Sequence, residues 1–474
     1  MTQTQSGLHQ EIFETALALA TPTGAVNQPK FVKTFTRALN RRGIMWLGQT
    51  CNLRCHFCYY LDRIENPQHP EHGFMSLDKN RRICDTLVEV YHNTSVDIQG
   101  GEPTLMRELP NLIRHCSAIG LDATVITNAQ VLEHRKIVDQ YQEAGIRDFL
   151  LSIQGLGEVY DQIVGRPGAH IRQMKTLRNL QEAGVTFRTN TVLARQVLPQ
   201  LPFIAELAIQ TGAQVVNFLA FNPFDDQSLA GKRSIEGVPR YSEIFEFLSP
   251  ALDRLEAAGV EANVRYLPLC VAPERHRKVM HNFRQIPYDL HENDFASWSW
   301  TGLSPQRETH AELSPPIAFG PRIKTGYLQP ILHQIKKLPA VERVLKTAKS
   351  QVEHQMANLY QTVHSSESIE DLYQQDARLR AQDHCGYRYV PACASCDVRS
   401  ICDGFHGDYA DLMGEADAHP IKLGRQVTDP IHFIQAQEKS VHPTDFAWLE
   451  QAQISRPPLT QNIERSGPRA EAPG

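Results

Sequence analysis

The sequence predicts an α/β protein, built as a partial (β/α)6 barrel of the TIM type and followed by a cysteine-rich C-terminal domain. Between residues 41 and 224, short apolar runs alternate with longer amphipathic segments, as strand–helix units around a parallel sheet do. Six such units fall short of a complete barrel, which has eight units in roughly 250 residues. Seven of the ten cysteines lie in two tight groups, at 51–58 and 385–402. Such clustering in a reducing compartment favours metal binding or redox chemistry over disulfides.

The predicted elements follow one another in strand–helix order. The strands are expected at Ile44–Leu47, Ser95–Ile98, Ala123–Thr127, Phe149–Ile153, Thr186–Leu193 and Gln214–Ala220. Helices are expected between them, for example at Leu77–His92 and at Ile171–Ala183, where Gly184 occupies the C-cap position. A further helix is expected at Tyr241–Ala258, after a turn marked by Asp225 and Asp226.

The chain is expected to divide into six parts. These are an N-terminal extension (1–40), the partial barrel (41–224), a connection (225–270), a mostly helical insert of unknown role (271–384), a cysteine-rich region (385–440) and a flexible tail (455–474). Within the insert, Leu328–Tyr360 has a helical pattern, and the tail is rich in proline and charge.

Composition excludes several classes of protein. The 48 basic and 53 acidic residues are mixed along the chain and give a net charge of −5, so no broad basic surface for nucleic acid is expected. No apolar run reaches the roughly 18 residues that span a membrane, and no secretion signal begins the sequence. We therefore expect a cytoplasmic enzyme or scaffold that binds neither nucleic acid nor membrane.

The first cysteine group directly follows the first predicted strand, at the mouth of the barrel. Cys51, Cys55 and Cys58 place three thiols on one short loop. A structural zinc site normally has four ligands, whereas three thiolates on a cubane of four irons leave one iron open to substrate or cofactor. Two alternatives remain: a zinc loop with a histidine such as His56 as the fourth ligand, and three buried structural thiols.

This loop resembles the signature of the radical S-adenosylmethionine (SAM) superfamily. The gaps of three and then two residues, with Phe57 before the last cysteine, carry the resemblance. It implies that Cys51, Cys55 and Cys58 bind a 4Fe-4S cluster whose fourth iron chelates the amino and carboxylate groups of SAM. One electron would then cleave SAM to methionine and a 5'-deoxyadenosyl radical, which abstracts hydrogen from the substrate.

Motifs on the later strands extend the resemblance to the cofactor site. Two glycines allow close approach of the backbone to a ligand, although such a sequence can also be a simple turn. The resemblance implies that the Gly-Gly-Glu-Pro motif contacts the methionyl amine, that a serine and an arginine hold the SAM carboxylate, and that an asparagine lies near the ribose. The expected cofactor-binding residues are Phe57, Gly100, Gly101, Glu102, Pro103, Asn128, Ser152, Gln154, Arg166 and Asn190.

The sequence departs from the family pattern at two of these positions. Gln154 stands where an aspartate is usual, and Val164 stands where the arginine aligns. Arg166, two residues later, is therefore expected to bind the carboxylate, since a guanidinium can do so in bidentate fashion.

The second cysteine group provides four thiols within a short stretch, namely Cys385, Cys393, Cys396 and Cys402. From spacing alone, structural zinc and an iron–sulfur cluster are about equally favoured. The run resembles the SPASM or twitch extension of many radical SAM enzymes, and Cys270 would be the first cysteine of that arrangement. The resemblance implies at least one auxiliary cluster, and a second would need an unusual ligand such as His406. Cys84 and Cys116 are expected to be buried without a role in the chemistry.

The functional hypothesis is a radical SAM oxidoreductase or maturase that abstracts hydrogen from a peptide. Most relatives with this extension act on peptides, although the 40 or so residues before the first strand are fewer than the roughly 80 expected of a leader-peptide module. The alternatives are the same chemistry on a small metabolite, and a non-catalytic zinc-binding scaffold. An electron donor such as flavodoxin or ferredoxin would be the partner. No general base is identifiable from the sequence.

Overall fold

The centre of the molecule is a curled sheet of nine parallel strands. The computed structural model describes residues 3–23, 31–37, 40–69, 71–89, 91–223, 235–295, 369–379, 381–382 and 385–442, and separate helical positions between 341 and 363. The strands of the main sheet are β2 Asn40–Trp46, β3 Ser95–Gln99, β4 Asp122–Thr127, β5 Asp148–Ser152, β6 Phe187–Leu193, β7 Val215–Ala220, β8 Glu261–Arg265, β9 Met280–His281 and β10 Leu290–Phe295. Two short strands, β1 Val32–Thr34 and β11 Lys439–Val441, form a separate antiparallel pair.

The strand order confirms a partial TIM-type barrel. The order is β10-β2-β3-β4-β5-β6-β7-β8-β9, and every neighbouring pair is parallel, so each connection crosses over the outside of the sheet. All six predicted strands are present, with ends shifted by a few residues. The longer helices are Gln3–Ala20, Leu77–Glu89, Leu109–Ala118, Arg135–Glu143, Glu158–Val164, Ala169–Ala183, Leu201–Thr211, Tyr241–Ala257, Ile369–Leu379 and Gly407–Met413.

The sheet continues beyond residue 224, where the sequence predicted the barrel to end. The helix Tyr241–Ala257 and β8 add a seventh strand–helix unit inside the predicted connection. Strands β9 and β10 lie in the segment predicted to be a helical insert, and β10 returns to pair with β2 at the opposite edge. Their shortness and polarity explain the error, because β9 has two residues and β10 reads Leu-His-Glu-Asn-Asp-Phe. The predicted tail at 455–474 and most of Leu328–Tyr360 lie outside the described residues.

Side chains on the two faces of the barrel strands are buried to different extents. Along β6, Phe187 and Leu193 face outward and are fully buried in the main apolar core, whereas Arg188, Asn190 and Val192 face inward and are only half-buried. The same alternation occurs at the carboxyl ends of β4, β5 and β7. The outer face is thus covered by helices, while the inward-facing side chains at the strand ends, which line the barrel interior that we call the lumen, are only partly buried.

The amino-terminal end of the lumen is closed by ion pairs. Arg42 of β2 contacts Asp97 of β3 at 2.5 Å and also pairs with Glu292 of β10. Arg188 of β6 binds Asp148 of β5 through two nitrogens. These pairs form a charged floor beneath the space at the carboxyl ends of the strands.

The terminal segments pack against the barrel from outside and below. The helix Gln3–Ala20 is held to Ala169–Ala183, because Gln181 Nε2 donates to the Ala20 carbonyl at 2.8 Å. Below the floor, Lys439 of β11 contacts Glu261 at 2.5 Å and Asp289 at 3.4 Å. Within the described part of the chain, no helix is long and apolar enough to cross a membrane.

Candidate functional site

The loop that carries the first three cysteines is held against the loop after β3 by close backbone contacts. Gly101 N donates to the Gly48 carbonyl at 2.8 Å, and Glu102 N donates to the Thr50 carbonyl at 2.8 Å. A Cβ atom at Gly100 would lie 2.3 Å from the Gly48 oxygen, and one at Gly101 would lie 2.4 Å from the Thr50 oxygen. Both glycines are therefore required for the two loops to meet, a role that the sequence did not indicate.

The other side of the cysteine loop rests on the helix Glu158–Val164. Arg54 N donates to the Val164 carbonyl at 2.9 Å, and His56 N donates to the Ile163 carbonyl at 3.1 Å. These bonds leave the three thiols on one side of the loop, where they line a single cavity of about 690 Å³. The rest of the lining is Leu53, Phe57, Ile64, Gln99, Gly100, Gly101, Ile126, Thr127, Asn128, Ser152, Gln154, Tyr160 and Val164. In this lining of described residues, three thiols are present but no imidazole or carboxylate.

Glu102 lies behind the cavity and does not line it. Its carboxylate is fully buried and accepts hydrogen bonds from Thr104 Oγ1 at 2.6 Å, Thr127 Oγ1 at 2.6 Å and the Asn128 backbone N–H at 2.7 Å. Burial raises the pKa of Glu102, and these hydrogen bonds act against that rise. The carboxylate thus links the end of β3 to the end of β4, next to Asn128, which lines the cavity.

Three of the predicted cofactor residues present polar groups to the cavity. Asn128 Nδ2 donates to Asn52 Oδ1 at 2.8 Å and lies 3.8 Å from Cys51 Sγ, so it contacts the cysteine loop directly. Gln154 Oε1 accepts from Val192 N at 2.8 Å, which holds its amide between β5 and β6. Ser152, at the end of β5, is half-buried in the same wall.

The remaining predicted residues lie at the edge of the cavity or outside it. Phe57 lines the cavity and its ring contacts Phe221, with centroids 6.2 Å apart. Pro103 begins a buried 3-10 turn, and Asn190 faces the lumen from β6. Arg166 is absent from the lining. Its Nη1 donates to the Asn52 carbonyl at 3.4 Å, and Val164 occupies the cavity wall instead.

One residue that sequence reasoning missed supports this wall from behind. The fully buried Gln173 donates through Nε2 to the Ser152 carbonyl at 2.8 Å and to Tyr160 Oη at 3.0 Å. It therefore joins the end of β5 to a side chain of the cavity lining. The only available signal was a glutamine on the apolar face of a predicted helix, which is too weak to identify a supporting residue.

Burial keeps the cavity thiols protonated before metal binds. It raises the pKa of Cys51 to about 12, and the nearby Glu102 carboxylate raises it further. The pKa of Cys55 is raised for the same reason, with Cys51 and Cys58 adding to the effect. Since thiolates are the metal ligands, binding of iron here must displace protons.

A second thiol-lined cavity lies in the C-terminal region, with a volume of about 360 Å³. Its four thiols belong to Cys270, Cys393, Cys396 and Cys402, so Cys270 joins the three cysteines that follow it far along the chain. Burial raises the pKa of Cys402 to about 12, while the backbone N–H groups of Leu269 and Gly404 act against the rise. Backbone N–H groups directed at sulfur are typical of iron–sulfur sites.

Cys385 lies apart from these four thiols, although the sequence grouped it with them. It does not line the second cavity, and its carbonyl accepts from Gly407 N at 3.3 Å. Its thiol is close enough to Tyr266 and Tyr387 to raise the pKa of both phenols, although burial is the larger cause. Cys385 therefore faces the carboxyl end of β8, because Tyr266 directly follows that strand.

The described thiols of neither cavity are gathered around a single point. Among the described residues, no three His, Cys, Asp or Glu side chains converge closely enough to hold one metal ion. A tetrahedral zinc ion needs its sulfurs about 2.3 Å from the metal, whereas a cluster of four irons separates its ligands. Cys84 and Cys116 are buried away from both cavities, with their sulfurs 3.5 Å apart.

The comparison with protein families decides the identity of the barrel. Residues 47–197, from the end of β2 to the segment after β6, match the family described as the radical SAM superfamily. The barrel is a radical SAM domain. Enzymes of this superfamily use a 4Fe-4S cluster with SAM. The SPASM-type members carry auxiliary clusters as well.

Several characterised proteins resemble part of this chain. AdoMet-dependent heme synthase from Oleidesulfovibrio alaskensis is 30% identical over 48% of this chain and 56% of that protein. PqqA peptide cyclase from Rhodopseudomonas palustris is 30% identical over 36% of this chain and 44% of that protein. The chain thus spans about half the length of the curated relatives it matches. Among solved structures, SuiB from Streptococcus suis bound to S-adenosylmethionine has 18% identity and a TM-score of 0.44, covering 55% of this chain and 59% of that chain.

Proposed function

We propose that the chain is a radical SAM enzyme that reductively cleaves SAM and removes a hydrogen atom from a peptide substrate. The observation that carries the proposal is the cavity at the mouth of the barrel. Three thiols of one loop line it, and its other walls, as far as the described residues show, provide no fourth thiol, imidazole or carboxylate. A cluster held there keeps one iron open for a cofactor.

The residues around the cavity fit a 4Fe-4S cluster and SAM. Cys51, Cys55 and Cys58 would hold the cluster, which when bound supplies the electron that cleaves the SAM sulfonium. The cavity combines apolar walls with a few polar side chains, as small-molecule sites do. Its polar groups are few and fixed, as a site that orients a ligand requires.

The protein's own part in the reaction is to position the cofactor and to exclude water from the cavity. The Asn128 amide and the Ser152 hydroxyl offer hydrogen bonds to a cofactor, and Glu102 and Gln173 hold the strand ends that carry them. Phe57, Ile126 and Leu53 supply apolar walls that keep water from a reactive intermediate. Asn190 and Arg166 would act from the edge of this site.

We further propose that Cys270, Cys393, Cys396 and Cys402 hold an auxiliary cluster. Four thiols in an apolar cavity satisfy a closed cluster without help from Cys385. When bound, such a cluster would either accept the electron that a substrate radical gives up as it is oxidised, or anchor the substrate. A flavodoxin or ferredoxin would supply the electron for SAM cleavage.

The peptide substrate is supported by relatives named PqqA peptide cyclase, which match the barrel in several organisms. A second candidate is a small metabolite, supported by the heme synthase match, which covers more of this chain than any of these cyclase matches. Both candidates share the radical chemistry and differ only in what occupies the space beyond the cofactor.

The proposal is tested by anaerobic reconstitution with iron and sulfide. We expect a brown protein that absorbs near about 400 nm and forms 5'-deoxyadenosine from SAM under reductant. A Cys55→Ala variant should form none. Peptides encoded beside the gene are then added, and mass spectrometry of the peptide follows the reaction. A tetrapyrrole is added in a parallel reaction as the small-metabolite candidate. If the tetrapyrrole is altered and the peptide is not, the second candidate replaces the first. A colourless zinc protein would contradict both.

A further inference from the structure

The lumen of the barrel is an open space next to the cofactor cavity. The last inward-facing residue of each central strand is half-buried, although helices cover the outward-facing neighbours completely. These inward residues are Trp46, Gln99, Ile126, Ser152, Val192 and Leu219. Three of them, Gln99, Ile126 and Ser152, also line the cofactor cavity, so the lumen and that cavity share a wall. A substrate held in the lumen would therefore lie beside the cofactor.

The cations on the floor of the lumen are already neutralised. Arg42 pairs with Asp97 and Glu292, and Arg188 pairs with Asp148. Lys439, which enters from below, contacts Glu261 and Asp289. Each acidic side chain of the floor thus lies within ion-pair distance of a cation other than Arg265, namely Arg42, Arg188 or Lys439.

Arg265 is a further lumen cation and has no such partner. It is the last residue of β8, on the same face as Glu261 and Asn263, whose side chains contact Lys439 and Asn217 inside the barrel. Arg265 makes no hydrogen bond or ion pair with the residues that the structure describes, and its Nε atom is shielded from solvent. Its neighbour across the sheet, His281, already binds Asp289 at 2.8 Å.

The residue after Arg265 supports its position at the mouth of the lumen. Tyr266 adopts a φ of 70°, an unusual backbone conformation for a bulky side chain. Tyr387 Oη holds this turn by donating to the Tyr266 carbonyl at 3.1 Å. Burial raises the pKa of the Tyr266 phenol; the charges of Arg265 and Arg42 act against the rise, and those of Glu292 and Cys385 add to it. Such strain concentrates at functional sites.

We propose that Arg265 binds a carboxylate of the substrate inside the lumen. A half-buried guanidinium that no described carboxylate contacts directly lacks hydrogen-bond acceptors, and a substrate carboxylate that accepts two parallel hydrogen bonds supplies them. The inference rests on the proposed peptide substrate and narrows it to a peptide whose reacting segment contains a glutamate or aspartate. Arg265 would hold this acidic residue of the peptide, and the side chains that line the lumen would contact the peptide residues on either side of it.

The test compares binding of three small probes to the reconstituted full chain, without reductant, by isothermal titration calorimetry. The probes are N-acetylglutamate methylamide, its glutamine counterpart, and N-acetyl-O-phosphoserine methylamide. We expect the glutamate probe to bind at least about tenfold more tightly than the glutamine probe. Arg265→Gln should remove this preference, and Arg265→Lys should restore part of it. Arg254→Gln, on an exposed helix where Arg254 contacts Glu206, is the matched control.

Three outcomes would overturn the inference. The wild type could fail to prefer glutamate over glutamine, Arg265→Gln could keep the preference, or the phosphoserine probe could bind more tightly than the glutamate probe. Thermal unfolding of each variant shows whether the barrel remains folded. Because the titration needs no SAM cleavage, a chain that binds the probe but forms no 5'-deoxyadenosine contradicts the proposed function alone.

Discussion

The two cysteine-lined cavities are built in different ways. At the barrel mouth, three thiols come from one loop of eight residues and line an open cavity of about 690 Å³ together with polar strand ends. In the C-terminal region, four thiols come from two segments far apart in sequence and line a cavity of about 360 Å³ that is mostly apolar. An open site suits a cofactor that must bind and leave, whereas a closed set of four ligands suits a resident cluster.

The largest effect is expected from removing a thiol of the open cavity. Cys55→Ser should lower 5'-deoxyadenosine formation by more than about a thousandfold, because the electron-transfer chemistry belongs to the cluster. Iron content should fall by about four atoms per chain, as the loss of one cubane requires. Iron assay and product chromatography measure both. Cys385→Ser is the matched control and should change neither value, since its thiol lines neither cavity.

The C-terminal cavity should respond differently when one of its thiols is removed. Cys270→Ser should also remove about four irons per chain, yet SAM cleavage without substrate should continue because the first three thiols are untouched. Electron paramagnetic resonance of the reduced protein would show one cluster signal lost and the SAM-responsive signal kept. Equal iron loss in Cys385→Ser would contradict the assignment of the four ligands.

The difference between the cavities also explains what the sequence could predict. Cys51, Cys55 and Cys58 are recognisable because their spacing is local and follows an apolar strand. Cys270 joins Cys393, Cys396 and Cys402 only through the fold, so it entered the predicted set through the family resemblance, while nearness in sequence added Cys385, which does not line the cavity. The six central strands are apolar runs and were predictable, whereas β10 is polar because it borders the charged floor. The hydrogen bonds of Gln173 connect elements that no local pattern relates.

A smaller effect is expected behind the open cavity, at Glu102. Glu102→Gln replaces one acceptor oxygen by an NH₂ group that faces donors, which should lower the free energy of unfolding by about 1–3 kcal/mol. The Asn128 backbone N–H would lose its partner or shift. SAM should therefore bind about tenfold more weakly, a loss of binding free energy similar in size to the loss of stability. Denaturant unfolding and equilibrium binding of SAM measure the two effects. Glu108→Gln, exposed at the start of the helix Leu109–Ala118, should change neither.

The smallest effect is expected at Arg166. Its size shows whether the Arg166 side chain contacts SAM directly or acts on SAM through the cysteine loop. Arg166 Nη1 donates to the Asn52 carbonyl at 3.4 Å and is absent from the cavity lining, so it steadies the cysteine loop from outside. Arg166→Gln should therefore weaken SAM binding by only about threefold, the cost of a long hydrogen bond. A loss of a hundredfold or more would mean that the guanidinium turns inward and binds the SAM carboxylate itself. Ser152→Ala, which alters the cavity wall, should exceed the Arg166 effect if the side chain of Arg166 stays where it lies.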